Sequence, residues 1–198
     1  MEILFKYLFL ILFILNVFIR YYSHWKINNN NDIGNENCFH FILKRFLVII
    51  FCIISARYII SPQLINFNLF QVNNLIRFLA FIFGIILTII HYWSFKTLNK
   101  YYFPTLKLAR KHKLIKSGPY KLIRHPIYST TIFGTFSLSI ISNNFILFIL
   151  SVIIFIGIWF FRIPKEEEMM INEFGKDYIN YIKQTGKLFP NIKRILRG

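Results

Sequence analysis

Two apolar runs, residues 127–141 and 145–161, are joined by only Ser142, Asn143 and Asn144. A bilayer offers no hydrogen-bond partners to backbone N–H and C=O groups, so runs of this kind fold as helices that satisfy their own backbone. A three-residue link leaves room only for a tight reversal, and the pair must be an antiparallel helical hairpin. Tyr128 opens the first arm and Arg162 closes the second. The hairpin therefore predicts that these two residues are neighbours on one side of the membrane.

Three more apolar segments precede the hairpin, at roughly 3–19, 41–60 and 75–93. Some fall short of the ~20 residues that span a bilayer unaided. With 56% hydrophobic residues and a mean hydropathy of +0.50, the chain reads as an all-α, polytopic integral-membrane protein of about five transmembrane helices. Residues 1–95 would form N-terminal transmembrane helices. Residues 96–198 would form a second region of loop, helical hairpin and C-terminal amphipathic surface helix, where the polar residues that could carry chemistry collect. The first segment carries Glu2 and Lys6 and lacks a small-x-small cleavage site, which predicts a retained anchor. Arg57 interrupts the second segment and would snorkel to the far interface or pair with a carboxylate. The third ends on Tyr92 and Trp93, in the place of an interfacial aromatic belt. Residues 23–37 are Asn-rich and read as a linker. Cys38 and Cys52 form no disulfide framework.

The formal net charge is +16. Its distribution explains it. Residues 20–45, 96–126 and the C-terminal tail hold 21 of the 24 Lys and Arg, leaving Lys6, Arg57 and Arg77 elsewhere. That asymmetry follows the positive-inside rule and puts the 96–126 loop and the C-terminal tail on the cytoplasmic side. Basicity of this origin argues against a nucleic-acid partner and allows contact with anionic lipids. His24, His40 and His91 have no partner histidine at helical spacing, so no metal site is expected.

Polar chemistry collects at the hairpin mouth. The tract Gly118–Tyr128, GPYKLIRHPIY, leads into the first arm. Before it, residues 96–116 read as a broken basic element along the membrane surface. Arg162 at the end of the second arm is followed by Glu166, Glu167 and Glu168. After Pro164, residues 165–183 predict one amphipathic helix, with Met170, Phe174, Tyr178, Tyr181 and Ile182 on its apolar face and Glu167 among the polar residues. Plainer roles fit some of these groups. Arg124 and Arg162 would also serve as positive-inside anchors, and the glutamates as an acidic first helical turn. Glu168 reads as solvated, and Tyr178 and Tyr181 as packing residues.

As an ordered set these residues resemble the isoprenylcysteine carboxyl methyltransferase family. The family pattern is roughly G-x-Y-x-x-x-R-H-P-x-Y, an apolar hairpin, R-x-x-x-E-E, then F-G-x-x-Y-x-x-Y and a late proline. It is met here by Gly118, Tyr120, Arg124-His125-Pro126, Tyr128, Arg162, Glu166-Glu167, Phe174-Gly175, Tyr178, Tyr181 and Pro190. The resemblance covers about residues 104–192. It implies S-adenosylmethionine as methyl donor, bound by His112, Lys113, Leu114 and Ile115, by Tyr120, by His125, Pro126, Ile127 and Tyr128, and by Glu166. It also implies that Arg162 faces the methyl acceptor, a lipid-tailed or small molecule. Two positions depart from the pattern: Thr105 stands where some relatives have glutamine, and Thr130 where glycine is common.

The chemistry of the residues agrees with that implication. Transfer from a sulfonium needs alignment more than acid–base help. If the acceptor is a carboxylate, opposite charges neutralise during transfer, and a dry pocket favours reaction. Arginine, with its planar fork, suits holding such a carboxylate. Other readings stay open at this point. They are methylation of a phospholipid amine or small thiol, a sterol-reductase-like enzyme using NADPH, and a non-catalytic membrane protein.

Overall fold

The computed structural model describes residues 1–27, 38–61, 71–98 and 113–191, with only the backbone described at 23–27 and 38–45. Within them lie helices α1 (Glu2–Ile27), α2 (Cys38–Ile60), α3 (Asn74–Leu98), α4 (Pro126–Ser142), α5 (Phe145–Ile156), α6 (Ile163–Phe174) and α7 (Lys176–Gln184). The five expected apolar segments correspond to α1–α5. Among the described residues, three stretches are long and apolar enough to cross a membrane by themselves: Glu2–Tyr22, Asn74–Leu98 and Phe145–Phe174. Arg57 is exposed in the last turn of α2, where snorkelling would put it.

α3 is the central packing helix. Arg77, Ala80, Gly84, Leu87, Thr88, His91, Ser94 and Phe95 are its buried residues, a three-to-four spacing that makes one stripe. The stripe meets α1 and α4. At Gly84 an added Cβ would lie 2.5 Å from a Leu12 methyl, so the helices approach closely there. Polar bonds tie the same seam. Asn16 donates to Thr88 Oγ1 at 3.1 Å, and His91 Nδ1 lies 2.6 Å from Thr130 Oγ1. Thr130, the departure from the family glycine, thus carries a buried polar link between α3 and α4.

Among the described residues the buried apolar side chains form two clusters. Phe5, Phe9, Leu12, Phe51, Tyr58, Leu138, Ile141, Leu147 and Leu150 fill the half nearest the hairpin turn. There Arg77, 1% exposed, donates to both Glu2 carboxylate oxygens and to Ile141 O at 2.9 Å, and lies over the Phe5 ring. A buried arginine needs such partners. The turn itself follows from its two asparagines. Asn143 adopts φ 53°, which Asn tolerates, and accepts from Val72 N; Asn144 caps α5 by accepting from Leu147 N at 3.0 Å.

The second cluster, Ile132, Ile163 and Leu188 with Phe133, Phe136, Phe155, Ile158 and Trp159 against it, lies toward the open end. Here the fold differs from the expected single helix over 165–183. The second hairpin arm does not stop at Arg162. It passes through a π-helical stretch, Gly157–Arg162, straight into α6. Proline at 164 lacks an N–H and would clash with the carbonyl four residues back, and the wider π turn just before it accommodates both defects. The break falls instead at Gly175, whose φ of +51° favours glycine, and α7 starts afresh. The apolar face read across 165–183 is therefore split between two helices. Residues 99–112, including the expected surface element, His112 and Thr105, lie outside the described residues.

Candidate active site

The tract that follows Lys113 is built to reverse and then start a helix. Gly118 takes φ +57°, and a Cβ there would sit 2.8 Å from Thr97 Oγ1 and 3.3 Å from Trp93 Nε1. Only glycine lets the tract press against the end of α3. Pro119 and Tyr120 are buried in the 3-10 turn Gly118–Lys121, and Pro126 begins α4 at a position that needs no N–H.

The tail after α7 returns to this tract and pairs with it as a short parallel bridge, Ile123 to Gly186. Arg124 N donates to Gly186 O at 2.8 Å, Gly186 N to Leu122 O at 3.1 Å, and His125 N to Lys187 O at 3.2 Å. Ser129 Oγ adds a bond to Leu188 O at 2.7 Å. At Gly186 a Cβ would fall 1.6 Å from Phe189 O, so no other residue permits this turn.

Side chains lock the same junction. The Arg124 guanidinium is 7% exposed and donates through Nε to Glu167 at 3.0 Å, and through Nη1 to Ile182 O and Thr185 O. The last two are carbonyls at the C-terminal end of α7, where a cation is favoured. Glu167 also meets His125 Nε2 at 3.3 Å and Lys187 Nζ at 3.4 Å. Lys187 in turn lies 5.1 Å over the Trp159 ring. Tyr181 donates to Tyr120 O at 2.6 Å. Burial pushes the Tyr178 and Tyr181 phenols well above their usual range, so both stay neutral and Tyr181 keeps the proton it donates.

Beside this ionic lock runs a second chain of bonds. Arg162 Nε donates to Tyr128 OH at 3.0 Å, and Tyr128 OH donates to Glu166 Oε2 at 2.6 Å. The expected adjacency of Tyr128 and Arg162 is thus met by direct contact. The rings of His125 and Tyr128 stack at 5.7 Å with planes 24° apart.

Of the residues singled out in the sequence, Tyr120, His125, Pro126, Ile127, Tyr128, Arg162 and Glu166 converge at the hairpin mouth. Lys113, Leu114 and Ile115 form the extended lead into the tract, with Lys113 exposed and the other two half-buried. Glu168 is exposed, as read. Sequence reading missed the part played by Glu167 and Lys187. Glu167 turns inward to Arg124 and His125. It stands three residues before Met170 and seven before Phe174, so helical spacing puts it on their face of α6. That spacing was the available signal, masked by the acidic side chain.

Comparison with known proteins agrees with the resemblance. The family model for phospholipid methyltransferase matches residues 73–177. Protein-S-isoprenylcysteine O-methyltransferase B of Arabidopsis thaliana is 30% identical over 90 residues, which cover 43% of this chain and 44% of the relative. A solved eukaryotic intramembrane Ras methyltransferase, isoprenylcysteine carboxyl methyltransferase without a monobody, shares the fold with a TM-score of 0.55 at 19% identity. That match covers 81% of this chain and 55% of the solved one. The chain thus spans about half the length of the relatives it matches.

Proposed function

The chain belongs to the phospholipid methyltransferase family, and from that premise we propose that it is an integral-membrane, S-adenosylmethionine-dependent methyltransferase. The acceptor we assign is the carboxyl group of a lipid-tailed acid, an isoprenylcysteine by preference. Residues 96–198 would carry the chemistry, with the 96–126 loop and the tail on the cytoplasmic side.

The residues at the hairpin mouth fit such a donor. A purine and a sulfonium call for flat aromatic faces and a carboxylate. His125 and Tyr128 offer stacked rings. Glu166 has one oxygen taken by Tyr128, and among the described residues no bond to its other oxygen occurs. Tyr120, Lys113, Leu114 and Ile115 adjoin from the tract, and His112 belongs with them by sequence. When bound, S-adenosylmethionine would supply an electrophilic methyl for a carboxylate oxygen, the C–S bonding pair remaining on sulfur.

The protein's own contribution is to hold and to dry. Arg162 would grip the acceptor carboxylate, its direction fixed by Tyr128. Tyr128 is itself held by Glu166, so acceptor and donor positions are coupled through one phenol. Ile158, Trp159 and Phe155 beside them exclude water, which favours a step that neutralises charge. The observation that carries this reading is the unbroken Arg162–Tyr128–Glu166 chain where the hairpin opens.

A panel of acceptors tests it. The purified chain in lipid nanodiscs, given methyl-labelled donor, is expected to label N-acetyl-S-farnesylcysteine at least tenfold faster than phosphatidylethanolamine or methanethiol. Preferential labelling of phosphatidylethanolamine would move the assignment to amine methylation, and labelling of none would overturn it.

A further inference from the structure

Arg20 lies near the end of the apolar span Glu2–Tyr22 of α1. The residue is half-buried and turns toward α4, donating through Nη2 to Thr131 Oγ1 at 3.1 Å. Thr131 gives its own proton to Ile127 O at 2.8 Å, so its hydroxyl oxygen is fixed as the acceptor. Among the described residues no carboxylate pairs with Arg20, and Nε and Nη1 make no hydrogen bond. Nη2 carries two hydrogens, of which Thr131 takes one. One whole edge of the planar fork is therefore left open, and such an edge matches two oxygens of a single anion.

The depth of this charge identifies the anion. Glu2, largely exposed, meets Arg77 at the other end of the span. The helix from Glu2 to Arg20 rises about 27 Å, against a hydrocarbon core of ~30 Å. With Glu2 at one boundary, Arg20 stands at the other. The neighbouring α3 agrees. Asn16 of α1 bonds to Thr88, and one turn further along the two helices come Arg20 and His91. Directly after His91, Tyr92 and Trp93 are exposed, in the manner of an interfacial aromatic belt. Arg20 is thus level with the phosphates of the leaflet on the side of the hairpin mouth. Val17, one turn deeper on α1, is exposed and leaves a flank for an acyl chain.

A cation that served only as a topological anchor would swing freely among the headgroups. Arg20 is instead pinned to a second helix with its open edge unmatched, and a cation at the edge of the hydrocarbon requires an anionic partner. We propose that Arg20, positioned by Thr131, is the phosphate-binding group of a resident phospholipid seated against α1 and α4. The site is separate from methyl transfer, since neither donor nor acceptor enters it.

Native mass spectrometry of the full chain tests this, in detergent supplemented with dioleoylphosphatidylglycerol, dioleoylglycerol or inorganic phosphate. The wild type is expected to keep one phosphatidylglycerol after the detergent is stripped, and to keep neither dioleoylglycerol nor inorganic phosphate. Arg20→Gln should lower that occupancy about tenfold, and Arg20→Lys about threefold, since an ammonium keeps the charge without the planar edge. Thr131→Val leaves every charge in place but frees the fork, and should also lower it about threefold. Lys96→Gln, an exposed cation in the last turn of α3, should change nothing. Undiminished occupancy in Arg20→Gln overturns the proposal. So does an equal fall in Lys96→Gln, which would mark diffuse attraction to basic residues. Should Arg20→Gln fail to fold, Thr131→Val decides, and wild-type occupancy there overturns the proposal. Retention of inorganic phosphate as strong as that of the lipid would make this a soluble-anion site and overturn the lipid assignment.

Discussion

Replacing Arg162 with alanine is expected to lower kcat/KM for the farnesylated acid by about two to three orders of magnitude, the usual cost of removing one preorganised charge-stabilising donor. Donor affinity should stay within about twofold. The two effects separate because Arg162 touches the tract through its Nε bond to the Tyr128 hydroxyl, while Tyr128 keeps its bond to Glu166. Arg162→Lys retains the charge but not the planar fork, and should recover only part of the loss. Steady-state kinetics with labelled donor, beside a donor-binding isotherm, reads both quantities. An equal fall in donor affinity would mean that Arg162 shapes the donor pocket and does not face the acceptor.

The second large effect is expected at the junction of tract and tail. Arg124→Ala strips Glu167 of its closest cation and leaves the Ile182 and Thr185 carbonyls uncapped in a poorly solvated place. Breaking one partner of a buried ion pair costs about 3–5 kcal/mol, and here the cost falls on α7 and the tail, not on the transmembrane bundle. Hydrogen exchange over residues 176–188 should rise by about two orders of magnitude or more, while α1, α3 and α5 stay protected. Gly186→Ala should give the same pattern by another route, since its Cβ cannot coexist with Phe189 O. Donor binding should weaken at least tenfold in both, because His125 and Tyr120 are held by the bonds that the tail supplies. Lys176→Ala, an exposed change on α7, should alter neither measurement. Unaltered exchange in Arg124→Ala would show that the tail is held by packing alone.

What the sequence conveyed, and what it concealed, has a physical pattern. The hairpin was legible because a three-residue link between two apolar runs admits one geometry, and that geometry put Tyr128 against Arg162. The tract was legible because Gly118, Pro119 and His125-Pro126 each demand a special backbone. The course of the second arm beyond Arg162 was not. A proline ordinarily starts a helix, and here an upstream π turn lets one pass through. Glu167 shares the face of Met170 and Phe174 by spacing, but an acidic side chain reads as outward until its cationic partners Arg124 and His125, 43 and 42 residues earlier, are known. The pairing of Glu2 with Arg77 was equally hidden, since it joins residues 75 apart and no local rule relates them. The same holds for Arg20 and Thr131, which the positive-inside count had absorbed as topology.

All of this depends on the hairpin mouth being where a sulfonium donor sits. Equilibrium binding of labelled S-adenosylmethionine to the purified chain in nanodiscs measures that directly. The account predicts saturable binding that NADPH does not displace and that Glu166→Gln weakens at least tenfold. Absence of saturable binding, displacement by NADPH, or an affinity indifferent to Glu166 would contradict it.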